Sequence, residues 1–165
     1  DQAYFEYLNI DDQAIGWLNE FENLIISRTF SKAYGLAGLR VGYSICSTLI
    51  ADYINRVREP FNVNHTAQMA AIAALGDDKY LEDSVKMNSD GYSQLVKGFE
   101  AFKLHYIPSY ANFIAVEFKD AMSTYNNLLK EGVIVRPVEM KNYLRISIGT
   151  PNENNHLLEA LGKVL

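Results

Sequence analysis

The chain has 165 residues, 48% apolar and 12% aromatic, with a net charge of −5. That length allows one domain or parts of two, and the apolar share allows a real core. The acidic balance argues against nucleic acid as a partner, because phosphate neutralisation needs clustered Lys and Arg. No apolar run approaches the ~18 residues expected of a transmembrane helix, so no membrane partner is expected. The single cysteine, Cys46, excludes an intrachain disulfide and suits a reducing compartment. No signal peptide is expected. The chain opens on Asp1-Gln2-Ala3-Tyr4 rather than Met, and is read as a fragment or a chain whose earlier half is not included.

In chain order, Ile15, Trp17 and Leu18 among polar residues predict a short helix over 11–21. An apolar run, Leu24 to Ile26, predicts a buried strand over 24–27, and 41–46 predicts the next, with Cys46 as small core filling at its end. Leu49, Ile50, Tyr53, Ile54 and Val57 recur at helical spacing before Pro60. Asn64 is the expected N-cap of an Ala-rich helix over 66–75. A long amphipathic helix is expected over 79–102, although Gly91 and Gly98 each weaken it by about 1 kcal/mol relative to Ala. Ile114, Val116 and Phe118 share one strand face. A helix over 121–131 should stop at Gly132. A short strand over 133–136 should end at Pro137. Residues 143–148 alternate, with Leu144, Ile146 and Ile148 on one face and Tyr143, Arg145 and Ser147 on the other. Thr150-Pro151-Asn152-Glu153 has capping-box spacing with Pro at the first helical position, opening a final helix through Val164. Strands alternating with helices, then a smaller mixed unit, give an α/β class followed by α+β.

The chemistry concentrates in residues 27–43, which read SRTFSKAYGLAGLRVGY. Thr29 and Ser31 offer hydroxyls and Arg40 a planar cationic fork, a set that suits a phosphate. Gly35, Gly38 and Gly42 permit tight turns. Neither G-x-x-x-x-G-K-[ST] nor G-x-G-x-x-G is present, so a nucleotide fits poorly. Lys32 beside such a phosphate site fits better as the amine that forms a Schiff base with pyridoxal 5′-phosphate (PLP). An ordinary surface lysine is the plain alternative. Further on, Arg145 stands mid-strand among apolar residues, which is costly unless it is paired or faces a cleft. His65, His105 and His156 are far apart and show no metal-ligand spacing, so no metal site is expected.

The segment 27–43 resembles the cofactor-lysine segment of fold-type I PLP aminotransferases, and is closest to the histidinol-phosphate aminotransferases. The resemblance extends over the whole chain and about the C-terminal half of a family member. It implies that Lys32 carries the cofactor and acts as general base and acid. It implies that Thr29, Ser31 and Arg40 hold the PLP phosphate. Asp1-Gln2-Ala3-Tyr4 resembles the family's D-x-A-Y segment, which implies Asp1 at the pyridine nitrogen and Tyr4 at the 3′-oxygen. Leu144-Arg145-Ile146-Ser147 and Val135-Arg136-Pro137 resemble segments whose arginines grip the substrate's anionic end. Tyr110-Ala111-Asn112-Phe113 also looks like a family segment, with no role assigned to Asn112.

The implied fold is the C-terminal part of the PLP-dependent transferase large domain, a mixed sheet with flanking helices, over 1–103 including the long linking helix. A small α+β C-terminal domain over 104–165 follows. The implied reaction is amino transfer between histidinol phosphate and 2-oxoglutarate, with glutamate as the other amino compound, in cytoplasmic histidine synthesis by a homodimer. The alternatives are a sister PLP enzyme (an aromatic or broad-range aminotransferase, or a threonine-phosphate decarboxylase) and a non-catalytic dimerisation or sensing module on the same fold. Because family members draw further site residues from their first half, purified residues 1–165 are expected to show no transamination of histidinol phosphate.

Overall fold

Ile25-Ile26-Ser27-Arg28-Thr29 forms strand β1, with two β-branched isoleucines at its start and Ile26 buried. It pairs antiparallel with β2, Gly42–Cys46, in register from Ile25 opposite Cys46 to Thr29 opposite Gly42. The computed structural model describes residues 1–8 and 10–165. It divides into two compact units, Asp1–Ser84 and Val85–Leu165.

In the first unit the expected helix over 11–21 contracts to the four residues Ala14–Trp17, α1. The segment has Gly16 inside it and its N-cap, Gln13, makes no side-chain bond, so one bond from the Ala14 N–H to Asp12 Oδ1 is too little to nucleate a longer helix. Helix α2, Thr48–Val57, is capped by Ser47, and α3, His65–Leu75, by Asn64, whose Oδ1 accepts from the Ala67 N–H at 2.8 Å. The small core joins Phe30 and Val41, at the two ends of the loop between β1 and β2, to Ala67 and Ala71 of α3. Alanines on that face let the helix approach the loop closely.

Helix α4, Asp78–Ala101, crosses the division between the units. In the second unit it contributes Leu95 and Phe99 to a larger core. The other contributors include β4 (Phe113–Glu117), α5 (Ala121–Lys130), β6 (Tyr143–Ser147) and α6 (Pro151–Val164). The sheet has the order β3-β4-β6-β5, with β3 at Tyr106–Ile107 and β5 at Arg136–Pro137. All its ladders are antiparallel. The expected faces hold: Ile114, Val116, Leu144 and Ile146 are all buried.

In this unit one expected strand shifts and one strand was not expected. The strand expected over 133–136 and ended by Pro137 instead pairs only at Arg136–Pro137. Val133 and Val135 are buried in the core, but pairing begins after them. Proline lacks the ladder donor and is tolerated because β5 is an edge strand. The strand Tyr106–Ile107 has too short an apolar run to stand out in the sequence.

The capping box of α6 forms as its spacing requires. The Glu153 carboxylate accepts from the Thr150 N–H at 2.8 Å and the Thr150 hydroxyl accepts from the Glu153 N–H at 3.4 Å. The two helix-weakening glycines of α4 also find their reason here. A Cβ on Gly91 would stand 2.6 Å from Ile148 Cγ2 and 3.0 Å from Asn154 Nδ2, and one on Gly98 would collide with Leu158. Helix α6 thus packs where only glycine leaves room. Asn154 is 2% exposed at this contact. Its amide accepts from the Gly149 N–H at 2.9 Å and donates to Gln94 Oε1 and the Gly149 carbonyl, each at 3.1 Å. Gly91→Ala gains about 1 kcal/mol of helix propensity against about 1–3 kcal/mol of overpacking. A net loss of about 1 kcal/mol is therefore expected, read as a lower thermal midpoint of the full-length protein; an unchanged or higher midpoint would show that α6 can give way.

Candidate active site

The candidate site residues of the first unit are set by one face of β1 and the loop that follows it. Ser27 and Thr29 point to the same side of the strand. The Asp1 segment lies along this strand: the Gln2 N–H donates to the Ser27 carbonyl at 2.8 Å, and the Ser27 hydroxyl lies 3.4 Å from Asp1 Oδ1. The same carboxylate oxygen accepts from the Ala3 N–H at 3.0 Å, closing an Asx turn that directs the chain into Tyr4. The Lys32 Nζ lies 5.3 Å from the centroid of the Tyr4 ring. Thus residues separated by 28 positions, from segments that the sequence marks independently, come together.

Lys32 opens a turn. Its carbonyl accepts from the Gly35 N–H at 2.9 Å, and Gly35 adopts a positive φ of 71°. A side chain at Gly35 would also collide with the hydroxyl of Tyr80. Thr29 Oγ1 accepts from the Ser31 N–H at 3.1 Å, which leaves the threonine's own O–H to donate elsewhere. Arg40 sits exposed in the left-handed conformation, φ 55° and ψ 48°, with Nη1 donating to the Ala37 carbonyl at 2.8 Å. A non-glycine residue held there costs of order 1–2 kcal/mol, and one nitrogen anchored leaves the rest of the guanidinium for a ligand. A primary amine beside a phenol, two hydroxyls, a guanidinium with spare donors and a carboxylate make a donor set that fits PLP.

The second unit brings its two predicted residues together as well. Arg136 of β5 and Arg145 of β6 occupy directly opposed ladder positions. Like charges facing each other across a ladder repel. The Arg145 guanidinium carbon stands 4.8 Å from the centroid of the Phe113 ring. Its Nε is buried without a hydrogen-bond partner among the described residues. Two cations side by side, one with an unsatisfied donor, suit an anion. Asn112 has a backbone use: its carbonyl accepts from the Ile148 N–H at 2.9 Å, beyond the last rung of the β4–β6 ladder. His105 meets Tyr143 and Glu117 on the surface. Among the described residues no group of three or more His, Cys, Asp or Glu could hold a metal ion, and no helix is long and apolar enough to cross a membrane.

The sequence pattern described as aminotransferase class I and II matches residues 1–161. The chain belongs to the class I and II aminotransferase family. It is similar to the histidinol-phosphate aminotransferase of Methylobacillus flagellatus, with 53% identity over 170 residues, covering 100% of this chain and 46% of that protein. It is likewise 54% identical over 171 residues to histidinol-phosphate aminotransferase 2 of Pseudomonas aeruginosa, covering 100% of this chain and 46% of the relative. Its structure resembles that of histidinol-phosphate aminotransferase from Sinorhizobium meliloti in complex with pyridoxal 5′-phosphate. The TM-score is 0.88 at 32% identity, over 99% of this chain and 47% of the other. The chain therefore spans about half the length of the relatives it matches.

Within this aminotransferase frame, sequence reasoning missed the residues behind β1. Arg28, on the opposite strand face from Thr29, pairs with Asp12, donates from Nε to Gln2 Oε1 at 3.0 Å, and stacks on Phe5 at 4.2 Å. An arginine inside a strand was the available signal. Phe113 beneath Arg145 was also missed; it lies two residues before Ala115, the ladder partner of Arg145.

Two carboxyls here respond to acid with opposite sign. The Gln2 amide, with the Ala14 N–H and the Arg28 charge, holds Asp12 below its ordinary 3.8. Burial pushes Glu6 above its ordinary 4.5, and its Oε2 has no hydrogen-bond partner among the described residues. Asp12 thus contributes stability that is present above about pH 4 and lost as pH falls through its folded value. Glu6 favours the fold when protonated, and that contribution is lost as pH rises above about 4.5. In thermal melts of the full-length protein against pH, Glu6→Gln should raise the midpoint at pH 7 and do so less at pH 4. Asp12→Asn should lower the midpoint at pH 7, with the difference shrinking below about pH 3.

Proposed function

We propose that the protein carrying this chain is a PLP-dependent aminotransferase moving an amino group between histidinol phosphate and 2-oxoglutarate. The observation that carries this reading is the Lys32 amine 5.3 Å from the Tyr4 ring, in a chain 53% identical along its length to a histidinol-phosphate aminotransferase. Thr29, Ser31 and Arg40 would hold the cofactor phosphate. Asp1 would keep a proton on the ring nitrogen, and the Tyr4 phenol would donate to the 3′-oxygen. When bound, PLP supplies an electron sink for charge that develops at the amine-bearing carbon of the substrate.

The remaining work falls to side chains of this protein. The Lys32 Nζ takes a proton from the substrate carbon and returns one, as general base and then general acid. Its backbone is fixed by the Gly35 turn, so the amine works from one place. Arg145 and Arg136 bind the substrate's phosphate, which relieves their mutual repulsion and satisfies the buried Arg145 donor. The Phe113 ring under the guanidinium holds it in plane. The reading also carries residues 1–103 as part of a large domain, residues 104–165 as a small one, and a cytoplasmic homodimer as the working state.

Borohydride reduction of the full-length protein with PLP is expected to leave the cofactor's mass on the peptide containing Lys32. Lys32→Ala should carry none and turn over no substrate; retained labelling of that peptide would end the assignment. Charge-assisted hydrogen bonds are worth about 1.5–3 kcal/mol. Arg145→Ala should therefore lower kcat/KM for histidinol phosphate by about 10–100-fold, and lower it far less for histidinol, which carries no anionic group. Equal losses on both substrates, or a parent that prefers phenylalanine or threonine phosphate, would overturn the substrate assignment.

A further inference from the structure

Arg28, Gln2 and Asp12 form a closed ring of side chains behind β1. The Arg28 Nε donates to Gln2 Oε1 at 3.0 Å, the Gln2 Nε2 donates to Asp12 Oδ1 at 2.9 Å, and Arg28 Nη2 pairs with Asp12 Oδ2. The Arg28 and Asp12 side chains are only 14% and 11% exposed, so salt and water screen them little. The same guanidinium lies 4.2 Å from the Phe5 ring centroid. Gln2 and Phe5 bracket Ala3 and Tyr4, and Gln2 adjoins Asp1. One half-buried cation therefore grips the cofactor-facing segment on both sides of Tyr4. It does so from the strand face opposite Thr29, where it cannot itself reach what Thr29 holds.

We propose that Arg28 is a positioning residue: through Gln2 and Phe5 it holds Asp1 and Tyr4 where they set the protonation behaviour of the bound cofactor. The proposal rests on the reading of Asp1 and Tyr4 given under the proposed function. The fork geometry is what qualifies arginine for the role. Its Nε and Nη2 serve two different residues while its face stacks on a third, which a lysine ammonium cannot do. Asp12 fixes the guanidinium plane, and its own backbone-bound position at the start of α1 makes it a firm post.

The test uses the full-length protein loaded with PLP, with pH titration of its visible absorbance and PLP affinity as readouts. Arg28→Met alone leaves the half-buried Asp12 without its ion-pair partner and can unfold the unit. The informative variants are therefore the double substitution Arg28→Met with Asp12→Leu, which removes both charges together, and Gln2→Leu, which leaves the ion pair intact. Both are expected to remain folded at the temperature of the titration, checked by their thermal melts. Both should shift the absorbance midpoint by about half a pH unit or more and weaken PLP binding about tenfold. If either folded variant matches the parent in titration midpoint and affinity, the positioning role is overturned and the ring is a structural brace alone. A parent that takes up no PLP overturns the functional reading, and this proposal with it. A parent that binds PLP normally beside unshifted variants overturns the proposal alone.

Discussion

The last rung of the β1–β2 ladder, Thr29 opposite Gly42, is the constraint on which the first unit depends. Every residue from Phe30 to Val41, including Ser31, Lys32 and Arg40, belongs to the loop that this rung closes. The rung requires glycine: a Cβ at Gly42 would stand 2.6 Å from the Arg28 carbonyl oxygen. Phe30 and Val41, one at each foot of the loop, are buried together and their backbones bond at 3.2 Å. The loop is thus pinned at its base and against α3, while its interior turns on Gly35. A loop so anchored, with one 3-10 turn at Ala37–Leu39, can present an amine and a guanidinium from fixed positions.

The second unit reaches a comparable result by other means. Its core is large, built from α4, α5 and α6 against one face of a four-stranded sheet. Packing on that face fixes the register of β6, because a slip by one residue would turn Leu144 and Ile146 outward. The register in turn decides that Arg145 faces Arg136 and lies over Phe113. The stability of the core and the placement of the cations are consequences of a single alternation.

Much of this was legible in the sequence because it is local. The Asn64 cap, the Thr150–Glu153 capping box and the alternation of residues 143–148 depend on neighbours a few positions apart, and each formed. The lysine segment was legible because its hydroxyls, glycines and arginine lie within 17 residues of one another. What stayed hidden was long-range. Arg28 meets partners 16 and 26 positions away, and its place inside a strand does not say which residues those are. Gly91 and Gly98 read as weaknesses of a helix because the side chains of Ile148 and Leu158 that press on them lie about 60 residues further on. The strand at Arg136–Pro137 was misplaced because proline's effect depends on whether its strand is at an edge, and strand order is not written locally.

The opposition of Arg136 and Arg145 gives the edge of the small sheet an unusual response to ionic strength. Most exposed charge pairs here are attractive, such as Lys79 with Asp83 and Lys86 with Asp90 along α4, and dissolved electrolyte loosens them. Between β5 and β6 the sign is reversed. Mobile counterions gather where two positive groups face each other, the electrostatic penalty on their pairing shrinks, and the two-residue edge strand frays less. In brine, then, this corner of the protein tightens while its helix surface relaxes.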